Sequence, residues 1–196
     1  WMWRSGVAGS VISMISFVIA AVALYSLALN IYEKEERASP ILAAVSVLIF
    51  VLNPSALFMQ ATPMSEMVFI AALLAATCLL QRWVENQTTR RLLVAAAAMS
   101  IATLSRYEAW PIAVLSVGVV ALVSRGDLRL KTRSAALFGA VVATGPVYWL
   151  WHNWAIYGNA FEFLTGPNSA RGIYLQNRAN LGWAEIFVGR AWLDIV

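Results

Sequence analysis

Charge is scarce in this chain, and cysteine and histidine are scarcer still. Lys, Arg, Asp and Glu make up 12% of 196 residues against 61% apolar types, whereas soluble domains run at about 25% charged and roughly 45–50% apolar. That balance excludes an ordinary soluble enzyme. The single cysteine, Cys78, lies inside an apolar run, which excludes a disulfide or a thiolate metal site within this sequence. The single histidine, His152, leaves no paired imidazoles at metal-ligand spacing. A Gly-rich phosphate loop, a Walker pattern and a nucleophile elbow are all missing. Nothing therefore points to cytoplasmic nucleotide-driven chemistry, and no cofactor is expected; a divalent cation is compatible with the sequence but not indicated by it. Acidic residues are also absent before Glu33.

What the chain has instead is length without charge. Uncharged runs cover Gly6–Ile31, Ile41–Ser65, Met67–Leu80, Leu92–Ser105, Ala109–Ser124 and Ser134–Trp151. The first two exceed the roughly 20 residues that a spanning helix needs. The fold class expected is all-α: a polytopic transmembrane bundle of about six spans over residues 1–154, followed by an extracytoplasmic, partly interfacial segment over 155–196. Gly6–Ile31 is too long for the apolar core of a signal peptide. The chain opens on Trp1 and closes on Leu193-Asp194-Ile195-Val196 with no polar tail, so an internal fragment of a longer protein is expected.

The net charge of +4 is a topology signal and calls for no nucleic-acid partner. Lys34 and Arg37 fall in the first connection, Arg82, Arg90 and Arg91 in the third, and Arg125, Arg129, Lys131 and Arg133 in the fifth. The positive-inside rule places these three in the cytoplasm and both ends outside. Tryptophans agree with that frame: Trp1, Trp3, Trp110, Trp149, Trp151 and Trp154 fall at predicted outer ends and Trp83 at an inner one, where indole favours the headgroup layer. The runs Met67–Leu80 and Leu92–Ser105 are short for the ~30 Å hydrocarbon core. If Arg82, Arg90, Arg91 and Arg125 snorkel to the inner interface, the shortfall lies outside, and a recessed outer vestibule would keep Glu66, Arg106 and Glu108 wet.

Those three charges, set between apolar runs, are the candidate site, because ionisable groups at membrane depth are costly unless paired or hydrated. Arg106 presents a planar five-donor fork suited to phosphate, with Tyr107 placed to stack beside it. Glu66 and Glu108 are candidate catalytic carboxylates, as general base or as orienters of an acceptor hydroxyl. The bland alternatives stand beside these: Glu66 as a helix-capping residue with Ser65 or Thr62 as N-cap, and an Arg106–Glu66 or Arg106–Glu108 ion pair that only pins two hairpins. His152 and Asn153, at the outer end of the last span, are candidates for lipid-phosphate or substrate binding, or simple interfacial anchors. Asn53-Pro54 is expected to break the second span early. Beyond Tyr157-Gly158-Asn159, the pieces Phe161–Leu164 and Leu181–Val188 are expected to lie on the interface.

Asn53-Pro54, then Ala61-Thr62-Pro63-Met64-Ser65-Glu66, then Thr103-Leu104-Ser105-Arg106-Tyr107-Glu108-Ala109-Trp110, resembles the multi-spanning GT-C glycosyltransferases. The resemblance is nearest to the family 39-like group, related to protein O-mannosyltransferases and to the aminoarabinose transferases of lipid A. Trp151-His152-Asn153-Trp154 through Tyr157-Gly158-Asn159-Ala160-Phe161, with Gly166-Pro167-Asn168-Ser169-Ala170, is similar to the segment where such chains leave the membrane. The likeness covers roughly residues 40–170.

The resemblance implies transfer of a sugar from a polyprenyl-phosphate-linked donor to an acceptor on the non-cytoplasmic face, in a single inverting displacement. It places an acidic base in the first external loop, ahead of the spans seen here and so outside this sequence. Arg106 would hold the leaving lipid phosphate, and Glu66 and Glu108 would shape the acceptor or sugar pocket. The partners expected are the lipid-linked sugar, an unidentified acceptor and the bilayer. A secondary transporter is the main rival, since broken helices with charges are its signature too; against it, the charges sit at one face and no inverted repeat appears. A non-catalytic membrane scaffold is the third reading.

Overall fold

A computed structural model describes residues 6–33, 40–167, 169 and 172–176. Among them there are helices and turns and no strand. The helices are α1 (Val7–Glu33), α2 (Pro40–Val51), α3 (Pro54–Ala61), α4 (Ser65–Glu85), α5 (Thr89–Ser105), α6 (Ala109–Val123), α7 (Leu128–Val142), α8 (Thr144–Tyr157) and the single turn α9 (Glu162–Thr165). By length and apolarity, Val7–Tyr32, Ser65–Glu85 and Leu128–Tyr157 suffice to cross a membrane, and the bent pair α2–α3 adds a fourth if counted as one span. At 17 and 15 residues, α5 and α6 are shorter.

The second apolar run does not form one helix. It breaks at Asn53-Pro54 and turns by 63° between α2 and α3. The cause is local: Pro54 has no amide to donate, and the Asn53 carboxamide caps α3 by accepting from the amides of Ser55 and Ala56 at 2.9 and 3.2 Å. The N-cap of α4 corrects the sequence expectation. It is Met64, without a side-chain cap; Ser65 is the first helical residue, and Thr62 ends α3 with its hydroxyl on the Phe58 carbonyl. Helices also reach further than the uncharged runs. Arg82 lies in the last turn of α4, Arg90 and Arg91 open α5, and Arg129, Lys131 and Arg133 ride on α7. These residues are thus at helix ends rather than in loops, and α4 with 21 residues reaches about 32 Å, not the short span its uncharged run suggested. Lys34, Arg37, Trp1, Trp3 and the piece Leu181–Val188 lie outside the described residues.

The chain divides into two units, Trp1–Pro146 and Val147–Val196. In the first, α4 packs against α5 and α1, α1 against α2 and α3, and α7 against α5 and α6. Small residues make these approaches possible: Ala72 and Ala76 of α4, Ala95, Ala96 and Ala102 of α5, and Ala109 and Ala113 of α6 are buried around Met99, Val120 and Phe138. The large aliphatics point the other way. Ile15, Val18 and Val22 on α1, Ile41 and Ile49 on α2, and Val114, Leu115 and Leu122 on α6 are all exposed, while Ser13, Ser16, Ser100 and Thr103 are buried. Small and hydroxylated residues inside with branched aliphatics outside is the packing of helices solvated by lipid, and the chain is an integral membrane protein.

Candidate functional site

Two turns meet to form the charged site. One is Thr62-Pro63-Met64 between α3 and α4, which leaves Glu66 in the first turn of α4. Its position is fixed from α1: the buried Ser13 hydroxyl donates to the Met64 carbonyl at 3.2 Å, and Gly9 admits Pro63 so closely that a Cβ there would lie 2.5 Å from the proline Cβ. The other is Arg106-Tyr107-Glu108 between α5 and α6. Trp110 ties it down, donating its indole N–H to the Thr103 carbonyl at 3.1 Å, and Thr103 itself bonds the Ser100 carbonyl at 2.9 Å.

Across these turns Arg106 takes both carboxylates. Its Nη1 donates to Glu66 Oε1 at 2.5 Å, and Nε and Nη2 donate to the two Glu108 oxygens at 3.3 and 2.7 Å. The cluster is paired but not sealed: side-chain exposure is 29% for Arg106, 31% for Glu66 and 44% for Glu108. The hydrogen bond from Arg106 holds the Glu108 carboxyl below the usual range, partly opposed by desolvation, and the same bond leads in raising Arg106 further, keeping the guanidinium charged. With two carboxylates and one guanidinium the cluster carries a net charge of −1. An incoming phosphate therefore competes with two carboxylates for Arg106 rather than meeting a bare cation. Tyr107 is 46% exposed beside it.

His152 and Asn153 belong to the second unit and help line a different feature, a cleft of about 190 Å³ whose walls are Trp149, His152, Asn153, Tyr157, Glu162 and Phe163. The His152 ring stacks parallel on Trp149, with centroids 5.7 Å apart. Its Nδ1 is buried without a hydrogen-bond partner, a cost of about 1–3 kcal/mol that a ligand hydroxyl would relieve. Asn153 donates to the Trp149 carbonyl at 2.7 Å. Glu162 is held by the Asn159 carboxamide at 3.3 Å, and it packs so tightly on Gly166 that a Cβ at that glycine would overlap its carboxylate. The lining contains no Lys or Arg, so the cleft suits hydroxyls and a ring face better than phosphate. Glu162, Trp149 and Tyr157 are not among the sequence candidates. The signal that would have found them is the turn Tyr157-Gly158-Asn159, which reverses the chain and carries Glu162 back beside α8.

Among the described residues there is no group of three or more His, Cys, Asp or Glu that could hold a metal ion. In comparisons with known proteins, residues 4–151 match the family model described as dolichyl-phosphate-mannose-protein mannosyltransferase. No curated protein and no solved structure matches the chain.

Proposed function

The chain belongs to the dolichyl-phosphate-mannose-protein mannosyltransferase family, within the GT-C superfamily, and from that premise we propose that it transfers a sugar at the end of the bundle where Glu66, Arg106 and Glu108 meet. At the family level this means a membrane glycosyltransferase that uses a polyprenyl-phosphate sugar donor. The finer reading is a site on the non-cytoplasmic face. The donor phosphate takes over the Arg106 guanidinium, and Glu66, released from that pairing, accepts the proton of the acceptor hydroxyl. The acceptor oxygen then bonds the anomeric carbon as the bond from that carbon to the phosphate oxygen breaks, so configuration inverts. The electron pair leaves on the phosphate, where Arg106 offsets the developing charge. Glu108, its carboxyl held low, is a poor proton acceptor and serves to orient the guanidinium. In the second unit, His152, Asn153 and Glu162 line a cleft of their own whose chemistry suits a hydroxylated ring.

The observation that carries this reading is the convergence of the three charges from separate turns, in reach of one another and open to solvent. Arg106→Ala should reduce transfer from a polyprenyl-phosphate donor by at least about 10²-fold while membrane insertion and expression persist. Unchanged transfer would remove the phosphate clamp. One observation favours a second reading, a structural pin: all three guanidinium nitrogens are already occupied by carboxylates. Under that reading the same variant would lower thermal stability and leave turnover of the surviving folded protein intact.

A further inference from the structure

At the other end of α5 a second cavity is built with the opposite electrostatic character. It holds about 260 Å³ and is lined by Trp83 and Gln87 near the end of α4, Thr89 at the start of α5, Arg125 after α6, and Arg133 and Ser134 on α7, among others. Thr89 and Ser105 bound a helix of 17 residues, which puts about 26 Å of helix between this cavity and the Arg106 turn.

Its frame is fixed rather than incidental. Gln87 bridges two connections, accepting from the Arg125 amide at 2.7 Å and donating to the Val123 carbonyl at 3.0 Å. Trp83 and Leu92 are buried beneath it. Among the described residues neither the Arg125 nor the Arg133 guanidinium has a carboxylate partner, and the lining contains no Asp or Glu. The nearby acids Asp127 and Glu85 are outside the lining, and Asp127 caps α7 through the Leu130 amide at 3.0 Å. Two cations and two hydroxyls over an apolar floor, at a helix-bundle end, match the chemistry of a phosphate esterified to a lipid: guanidinium forks bind phosphate oxygens, and basic pockets between transmembrane helices recognise anionic headgroups.

We propose that this cavity binds the phosphate of an anionic membrane phospholipid, independently of the transferase chemistry at the far end of α5. The test is the thermal melt of the detergent-solubilised protein titrated with phosphatidylglycerol, with phosphatidylcholine, or with inorganic phosphate. Phosphatidylglycerol should raise the midpoint where phosphatidylcholine does not. The double substitution R125Q/R133Q should raise the half-effect concentration roughly tenfold or more. Arg129→Gln removes a basic, exposed residue of the same helix that does not line the cavity, and should leave the titration within about twofold of wild type. An equal effect of phosphatidylcholine, an unaltered titration in R125Q/R133Q, or an equal loss in Arg129→Gln would overturn the site. If inorganic phosphate alone reproduces the shift and R125Q/R133Q abolishes it, the site stands and its source is free phosphate.

Discussion

Arg106 commits each of its three guanidinium nitrogens to Glu66 or Glu108, using three of its five N–H donors, and that single fact shapes what the site can do. A guanidinium so paired is held in place with its charge already offset, so an anion binding there competes with two carboxylates. Sequence alone placed the three charges near one another and could not set their pairing, because it depends on two turns 40 residues apart. The pH behaviour follows from Glu108. Its carboxyl lies below the ordinary value of 4.5 when folded, so its pairing contributes stability that is fully present above that value and is lost as pH falls through the lowered one. Glu108→Gln should therefore melt below wild type by a constant margin from pH 5 to pH 8, with the margin closing only in acid below about 4.5. At 44% exposure the margin is small. A margin that instead vanished near neutrality would mean that another group governs the cluster.

At the scale of elements, the site is a consequence of one broken helix and one close approach. The break at Asn53-Pro54 was legible, since proline and the preceding residue state it directly. The start of α4 was not: Thr62 and Ser65 both carry hydroxyls able to cap, yet the turn is held from α1, where the Ser13 hydroxyl, 51 residues distant, reaches the Met64 carbonyl. Local capping rules cannot see such a partner. The positions of Arg90, Arg129 and Arg133 on helices rather than loops were hidden for a related reason, because absence of charge marks lipid contact and not the extent of a helix. Gly9 tests the support directly. A side chain there must push Pro63, whose backbone Cα stands 3.2 Å from the new Cβ, and overpacking of this kind costs about 1–3 kcal/mol. Gly9→Val should lower the melting midpoint and, by moving the α3–α4 turn, reduce transfer more than it reduces the amount of folded protein. Full specific activity in that variant would show that the turn does not position Glu66.

The whole molecule is arranged inside out relative to a soluble bundle, and this was the most legible property of all: composition alone excluded a watery exterior. The two ends of α5 report how the bundle lies across the bilayer. From the positive-inside rule we propose that Asn86, flanked by Arg82, Arg90 and Arg91, faces the cytoplasm and that Tyr107, at the other end of α5, faces outside. Both residues are exposed. With the native Cys78 replaced by serine, single cysteines at 86 and 107 should react with a membrane-impermeant thiol reagent from opposite faces: 107 in intact cells, 86 only after the membrane is opened. The 17 residues of α5 fall short of the ~30 Å hydrocarbon core, so the bilayer must thin or Arg90 and Arg91 must snorkel for both ends to be wet. Labelling of both positions from the same side would mean that α5 does not cross. The Arg106 cluster and the basic cavity would then share a face, and if that face were the cytoplasmic one the assignment of donor chemistry to the non-cytoplasmic side would fall with it.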